Sequence, residues 1–174
     1  MEQHDLTKVA GRLSSILGDA CLLIGGLAVS AWGHVRATED IDFVTSLEPE
    51  ELQALLSTRE IATELKRGDV LEGDIPWVLQ GKVGQVTFQF LPPLIPLAWD
   101  KATLVSMPDG TELRVVDLPD LIRLKLRAGG SGDLWDVAAL LQKHPDMREA
   151  ARQWADDLGR LKDLDAWLDD PRLG

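Results

Sequence analysis

Two adjacent glycines, Gly25 and Gly26, directly follow a short apolar run, Cys21–Ile24, and precede small residues at helical spacing, Leu27–Trp32. A continuous apolar run of this length predicts a buried strand, and glycine permits a sharp turn after it. The segment therefore predicts a strand, a turn and a helix whose first backbone N–H groups are free to meet phosphate oxygens. A turn that needs glycine only for its backbone angles or for close packing explains the same pair.

Two aspartates, Asp40 and Asp42, lie in the next predicted strand, Asp40–Val44, where polar and apolar residues alternate. Residues two apart on a strand point to the same face and lie about 6.6 Å apart along it, so both carboxylates can converge on a hard cation. Oxygen ligands alone favour Mg²⁺ or Mn²⁺ over zinc. The alternative is an edge strand whose two acids simply face water.

The rest of the chain predicts an α+β fold with a small mixed sheet, flanking helices and a helical C-terminal segment. We expect residues 1–116 to form the α/β core and residues 117–174 to pack on it as part of one structural unit. The remaining predicted strands are Ile61–Leu65, Trp77–Leu79, Val83–Leu91, Thr103–Ser106 and Glu112–Val116. The remaining predicted helices are Leu6–Leu17, Pro49–Ser57, Leu118–Ala128, Asp133–Gln142, Asp146–Asp157 and Leu161–Leu168.

Charge and cysteine content restrict the partners of this 174-residue chain. Its formal net charge is −11, which argues against extended nucleic-acid binding and against an anionic membrane surface. The longest weakly polar run, Ala20–Gly33, is shorter than the about 20 residues that a membrane-spanning helix needs. The single cysteine, Cys21, lies in an apolar run and predicts a core residue of a cytoplasmic protein.

A lysine interrupts the apolar face of the helix Leu118–Ala128. Helical spacing places Lys125 on the same face as Leu121 and Ile122, where a buried ammonium group requires a partner or a ligand. Asp133 and Asp136 share one face of the following helix and are the candidate partners. Alternatively, the lysine stem covers apolar surface and its ammonium group reaches water.

Taken together, these motifs resemble the nucleotidyltransferase superfamily, which has the DNA polymerase β type of fold. The resemblance rests on Ile24-Gly25-Gly26, then thirteen residues, then Asp40-Ile41-Asp42-Phe43. The intervening Ala28 and Arg36-Ala37-Thr38 are similar to the small bacterial branch that contains minimal and toxin-type nucleotidyltransferases. Lys125-Leu126-Arg127-Ala128 and the Asp133/Asp136 pair resemble two further segments of that branch.

The resemblance implies transfer of a nucleoside monophosphate from a nucleoside triphosphate to a hydroxyl group. It assigns the metal ion, Mg²⁺ or Mn²⁺, to Asp40 and Asp42, and nucleotide contacts to the four residues of the glycine turn and the Arg-x-Thr segment: Gly25, Gly26, Arg36 and Thr38. Lys125 is expected to be catalytic together with the two aspartates. Gln89, Asp133 and Asp136 are expected to surround and support these three residues. The toxin-type relatives add the expectation of a toxin–antitoxin pair and a cognate protein partner.

The sequence departs from this superfamily at its expected third carboxylate. By pattern Gln89 occupies that place, and its amide brings no negative charge and is a poor base. No spacing selects a substitute among the nearby acids, which are Asp69, Glu72, Asp74 and Asp100. The loop before Asp133 is glycine-rich where the branch often has Arg or Lys.

Three functions are therefore compatible with the sequence. The first is a nucleotidyltransferase acting on a small molecule, a protein or an RNA end. The second is a catalytically reduced relative that binds a nucleotide or a partner without turnover, which Gln89 favours. The third is an interaction module that retains the pattern only for folding.

Overall fold

The computed structural model describes residues 3–173 and is built on one seven-stranded sheet. The strands are β1 Cys21–Ile24, β2 Asp40–Thr45, β3 Thr63–Arg67, β4 Trp77–Val83, β5 Val86–Leu91, β6 Thr103–Ser106 and β7 Glu112–Val115. The helices are α1 Gln3–Leu17, α2 Gly25–Ala31, α3 Pro49–Ser57, α4 Leu118–Ala128, α5 Ser131–Lys143, α6 Arg148–Asp157 and α7 Leu161–Leu168.

The strands follow the order β3-β4-β5-β2-β1-β7-β6. The pairs β2–β5 and β1–β7 are parallel and the other four are antiparallel, so the predicted mixed sheet with flanking helices is confirmed. Strand β2 lies in the interior of the sheet, between β5 and β1. This position excludes the alternative that Asp40 and Asp42 belong to an edge strand.

One predicted strand, Val83–Leu91, is wrong as a single element. Val83 ends β4, Gly84 adopts φ 61°, and β5 begins at Val86. The two halves then pair with each other in antiparallel register, starting from Val83 opposite Val86. A glycine in the left-handed region reverses the chain here, where the alternation that places Val86, Phe88 and Phe90 on one side predicted a single strand.

The two faces of the sheet differ sharply around β2 and β5. On one face Ile41, Phe43, Phe88 and Phe90 are buried, and the Phe43 and Phe90 rings stack with their centroids 5.0 Å apart. Helix α1 contacts β2 and β5, and α3 contacts β3 and β4. The other face carries the polar residues of the same strands and remains partly open. The alternation of β2 and β5 thus separates a core from a polar surface.

The C-terminal helices pack mainly on one another and reach the sheet region through the contact of α4 with α2. Helix α4 starts at a capping aspartate, Asp117, whose side chain accepts a hydrogen bond from the backbone N–H of Asp120. It ends at Gly129, which adopts φ 66°. Within residues 3–173, none of the helices has the length and apolar character needed to cross a membrane.

Candidate active site

The carboxylates of Asp40 and Asp42 lie on the open polar face of β2. Asp40 is exposed and Asp42 is half-buried, while Ile41 between them is fully buried on the opposite face. The strand therefore presents two acids side by side at the point where the polar face meets the glycine turn.

Strand β5 supplies a hydrogen-bond donor to each carboxylate. The parallel register places Thr87 opposite Asp40 and Gln89 opposite Asp42. Gln89 Nε2 donates to Asp42 Oδ1 at 2.6 Å, and the Thr87 hydroxyl donates to Asp40 Oδ1. Gln89 thus lies on the neighbouring strand next to the acid pair, the place expected from its sequence pattern. Thr87 was not predicted, although it shares the alternation that singled out Gln89.

The surroundings of Asp42 disfavour its negative charge. Burial raises the pKa of Asp42 above its ordinary value, and it outweighs the hydrogen bond from Gln89 and the positive charge of Lys125, which lower it. A divalent cation at the carboxylate pair would supply the missing compensation. Two carboxylates suit Mg²⁺ or Mn²⁺, which commonly take one or two protein carboxylates and complete their shell with substrate phosphates and water. The residues present therefore fit the expected metal.

The glycine turn lies directly against these side chains. Gly25 adopts φ +68°, and a Cβ atom there would collide with Asp42, since even the carboxyl carbon would lie 2.8 Å away. A Cβ on Gly26 would lie 2.8 Å from Thr38 Oγ1 and 3.0 Å from Arg36 Nη2. Close packing therefore requires both glycines. The turn also starts α2, whose first N–H groups lack intrahelical partners and can donate to phosphate oxygens.

Two cations and two aspartates form an ion network beside the turn. Arg36 contacts Asp136 twice, at 2.8 Å from Nε to Oδ1 and at 2.9 Å from Nη2 to Oδ2. Lys125 Nζ lies 2.8 Å from Asp133 Oδ1 and 2.9 Å from Asp136 Oδ2. Lys125 is 9% exposed and Asp136 is 1% exposed, so the alternative in which the ammonium group reaches water is wrong. Asp133 and Asp136 are the partners that helical spacing suggested.

The network keeps Lys125 charged. Burial alone would lower its pKa, but the hydrogen bonds to Asp133 and Asp136 outweigh that effect and raise the pKa above its ordinary value. An ammonium group has three donors, and the two aspartates engage two of them. The third N–H of Lys125 is engaged by neither aspartate.

The structure thus gathers the sequence-predicted residues around the β1–α2 turn. Thr38 lies between the turn and the acid pair, and its hydroxyl is 3.3 Å from the carbonyl oxygen of Asp40. Two of the acids considered as substitutes lie elsewhere: Asp69 and Asp74 accept backbone hydrogen bonds within their own loop between β3 and β4.

A cavity of about 610 Å³ opens on the polar face beside Asp40. It extends across β5 and β4 to β3. At that end, Nε2 of Gln80 on β4 donates to Oε2 of Glu64 on β3 at 3.2 Å. Lys82 lies opposite Thr87 and is the cationic residue of the lining. Sequence reasoning missed Glu64, Gln80 and Lys82, because only the strand order brings them to the acid pair.

Comparison with known families and structures agrees with this geometry. A family model described as "Nucleotidyl transferase AbiEii toxin, Type IV TA system" matches residues 10–171. No curated protein sequence matches the chain significantly.

Three solved structures share the fold at low sequence identity. The antibiotic-resistance factor ANT(2'')-Ia superposes with a TM-score of 0.63 and 11% identity, over 95% of this chain and 97% of that chain. TM1012 of Thermotoga maritima superposes with a TM-score of 0.56 and 14% identity, over 90% of this chain and 96% of that chain. JHP933 of Helicobacter pylori gives 0.55 and 18%, over 96% and 76%. The likeness establishes the nucleotidyltransferase fold.

Proposed function

Because the chain belongs to the nucleotidyl transferase AbiEii toxin family of type IV toxin–antitoxin systems, we propose that it transfers a nucleoside monophosphate from a nucleoside triphosphate to a hydroxyl acceptor. One observation carries the proposal: Asp40 and Asp42 lie on an open sheet face, between a glycine turn with two ordered cations and a polar cavity. The glycine turn with its cations suits a triphosphate, and the polar cavity suits an acceptor.

On the nucleotide side, Asp40 and Asp42 would hold Mg²⁺ or Mn²⁺. The bound ion supplies positive charge that offsets the triphosphate and stabilises charge developing in the transition state. Backbone N–H groups of Gly25 and Gly26 bind phosphate oxygens at the start of α2. The aspartates of the ion network fix Arg36 and Lys125 in place, so neither side chain must be ordered when the nucleotide arrives.

On the acceptor side, the hydroxyl oxygen attacks the α-phosphorus and gives up its proton to solvent. The bond between the α-phosphorus and the oxygen that bridges it to the β-phosphorus breaks, and pyrophosphate leaves. The acceptor occupies the cavity that begins at Asp40. A small molecule or a protein side chain suits this lining better than an RNA end, because the net charge is −11 and Lys82 stands alone as a cation there. We expect a cognate protein partner from the family and a cytoplasmic location from the single buried cysteine.

A second candidate function is nucleotide binding without turnover, which the amide of Gln89 opposite Asp42 favours. Incubation with α-³²P-labelled triphosphates and pyrophosphate detection separates the two. Transfer of label to a protein or small-molecule fraction, with one pyrophosphate released per label, supports the transferase. Tight binding with no pyrophosphate above the Asp42→Asn background supports the non-catalytic form.

The proposed nucleotide site is tested by thermal unfolding with each of the four nucleoside triphosphates, with and without Mg²⁺. Ligand at about 100 times its Kd stabilises the protein by about 2.7 kcal/mol, and each kcal/mol moves the Tm by about 2–4 °C at this chain length. We expect a Mg²⁺-dependent rise in wild type that is lost in the Asp40→Asn/Asp42→Asn double variant.

The matched control is Asp146→Asn, which removes a charge from an exposed residue away from the site and should keep the full rise. A rise that persists in the double variant would show that nucleotide binds elsewhere. No rise with any triphosphate would contradict the proposed function.

A further inference from the structure

The acid pair has few negatively charged neighbours. Among residues 3–173, no group of three or more His, Cys, Asp or Glu residues is arranged to hold a metal ion. The remaining acid of the cavity is Glu64, and the register runs from Asp42 to Gln89, then to Gln80, then to Glu64. Three strand spacings of about 4.8 Å separate Glu64 from Asp42, far more than the about 2 Å reach of a Mg²⁺–oxygen bond.

The two oxygen atoms of each carboxylate also differ in the hydrogen bonds that they accept. Both Oδ1 atoms accept hydrogen bonds from β5, from Thr87 at Asp40 and from Gln89 at Asp42. The Oδ2 atoms accept none from the described residues, and Oδ2 of Asp42 is directed at the Gly25 turn. Oδ2 of Asp42 therefore lies on the nucleotide side without a hydrogen-bond donor among the described residues, whereas each Oδ1 already accepts a hydrogen bond from β5.

From these two observations we propose that the centre binds a single divalent metal ion, on the nucleotide side of Asp40 and Asp42, and that Gln89 sets this number. The inference rests on the proposed nucleotidyltransferase function and specifies its metal site. Two divalent ions about 4 Å apart repel each other strongly, and sites that hold such a pair need carboxylates to bridge and neutralise them. A neutral amide in place of a third carboxylate leaves charge for one ion.

Gln89 acts as a positioning residue. Its Nε2 donates to Oδ1 and so holds the Asp42 carboxylate in one orientation. Thr87 does the same for Asp40. The acceptor hydroxyl accordingly enters the cavity without a metal ion of its own.

The test counts Mn²⁺ ions, because Mn²⁺ replaces Mg²⁺ and its free form gives a quantitative EPR signal. The full chain is titrated with Mn²⁺ in the presence of a non-hydrolysable nucleoside triphosphate analogue, and the count is repeated by calorimetry. With the analogue equimolar to the chain, wild type should bind one ion in total per protein–analogue complex. Gln89→Glu, which places a carboxylate opposite Asp42, should bind two.

The matched control is Gln80→Glu, the same chemical change one strand farther away in the same cavity. It should stay at one ion per chain. Two ions in wild type would overturn the inference while leaving the proposed function intact, as would a folded Gln89→Glu variant that stays at one. No ion and no nucleotide bound by wild type would overturn the proposed function as well. The wild-type count decides whether the centre holds one ion even if Gln89→Glu does not fold.

Discussion

Replacement of Gly25 by alanine tests whether the glycine turn is fitted to the carboxylate of Asp42. Alanine at φ +68° costs about 1–2 kcal/mol from the left-handed backbone alone. The added Cβ also collides with Asp42, whose carboxylate must leave its rotamer, at about 0.5–1.5 kcal/mol, and lose the charged hydrogen bond from Gln89, at about 1.5–3 kcal/mol.

Gly18→Ala is the matched control. Gly18 has a similar φ of +55°, and a Cβ there meets no atom within 4 Å. The backbone cost and the effect of alanine on the unfolded chain are shared by the two variants, so their difference isolates the collision. We expect Gly25→Ala to lose about 2–4 kcal/mol more unfolding free energy than Gly18→Ala, measured by urea denaturation at unchanged m value.

A double-mutant cycle with Asp42→Gly sharpens this test, because that change removes every Asp42 atom that the new Cβ would meet. Gly25→Ala should then cost only about as much as Gly18→Ala, which gives a coupling free energy of about 2 kcal/mol or more. Equal losses in Gly25→Ala and Gly18→Ala, within about 0.5 kcal/mol, would refute the argument that the turn is shaped by the carboxylate.

Two further predictions concern buried groups. Asp136→Asn leaves Arg36 and Lys125 short of negative charge in a buried network, so the unfolding free energy should fall by about 3–5 kcal/mol; a urea midpoint within error of wild type would contradict this. Burial raises the pKa of Cys21 to about 12, against the opposing positive charge of Arg114. Its thiol should therefore not react with a disulfide reagent at pH 8 until the chain unfolds, and immediate labelling of the native protein would show an accessible thiolate.

Local patterns in the sequence located most of the elements. The bounds of α4 follow from its apolar period, the capping residue Asp117 and the terminal Gly129, and all three act within the helix itself. A local pattern also identified Lys125, because a lysine on an apolar helix face requires a partner. The i, i+3 spacing of Asp133 and Asp136 on the next helix indicated both as candidates.

The neighbours of β2 could not be found this way. Periodicity tells which face of a strand a residue occupies, but not which strand lies beside it. The hydrogen bond from Thr87 to Asp40 joins residues 47 positions apart and exists only because β5 pairs with β2 in parallel. The cavity that reaches Glu64 also results from strand pairing, since three strand pairings place its lining residues on one face of the sheet.

The contact between Arg36 and Asp136 joins positions 100 residues apart in the chain. The carboxylate pair and the glycine turn are encoded before residue 45, whereas both counter-ions of the two cations are encoded after residue 130. A chain divided in the loop at residues 129–130 would carry the proposed metal ligands on one fragment and these counter-ions on the other. The proposed nucleotide binding would then depend on fragment complementation, so the protein could serve as a split reporter whose signal measures reassociation of its two fragments.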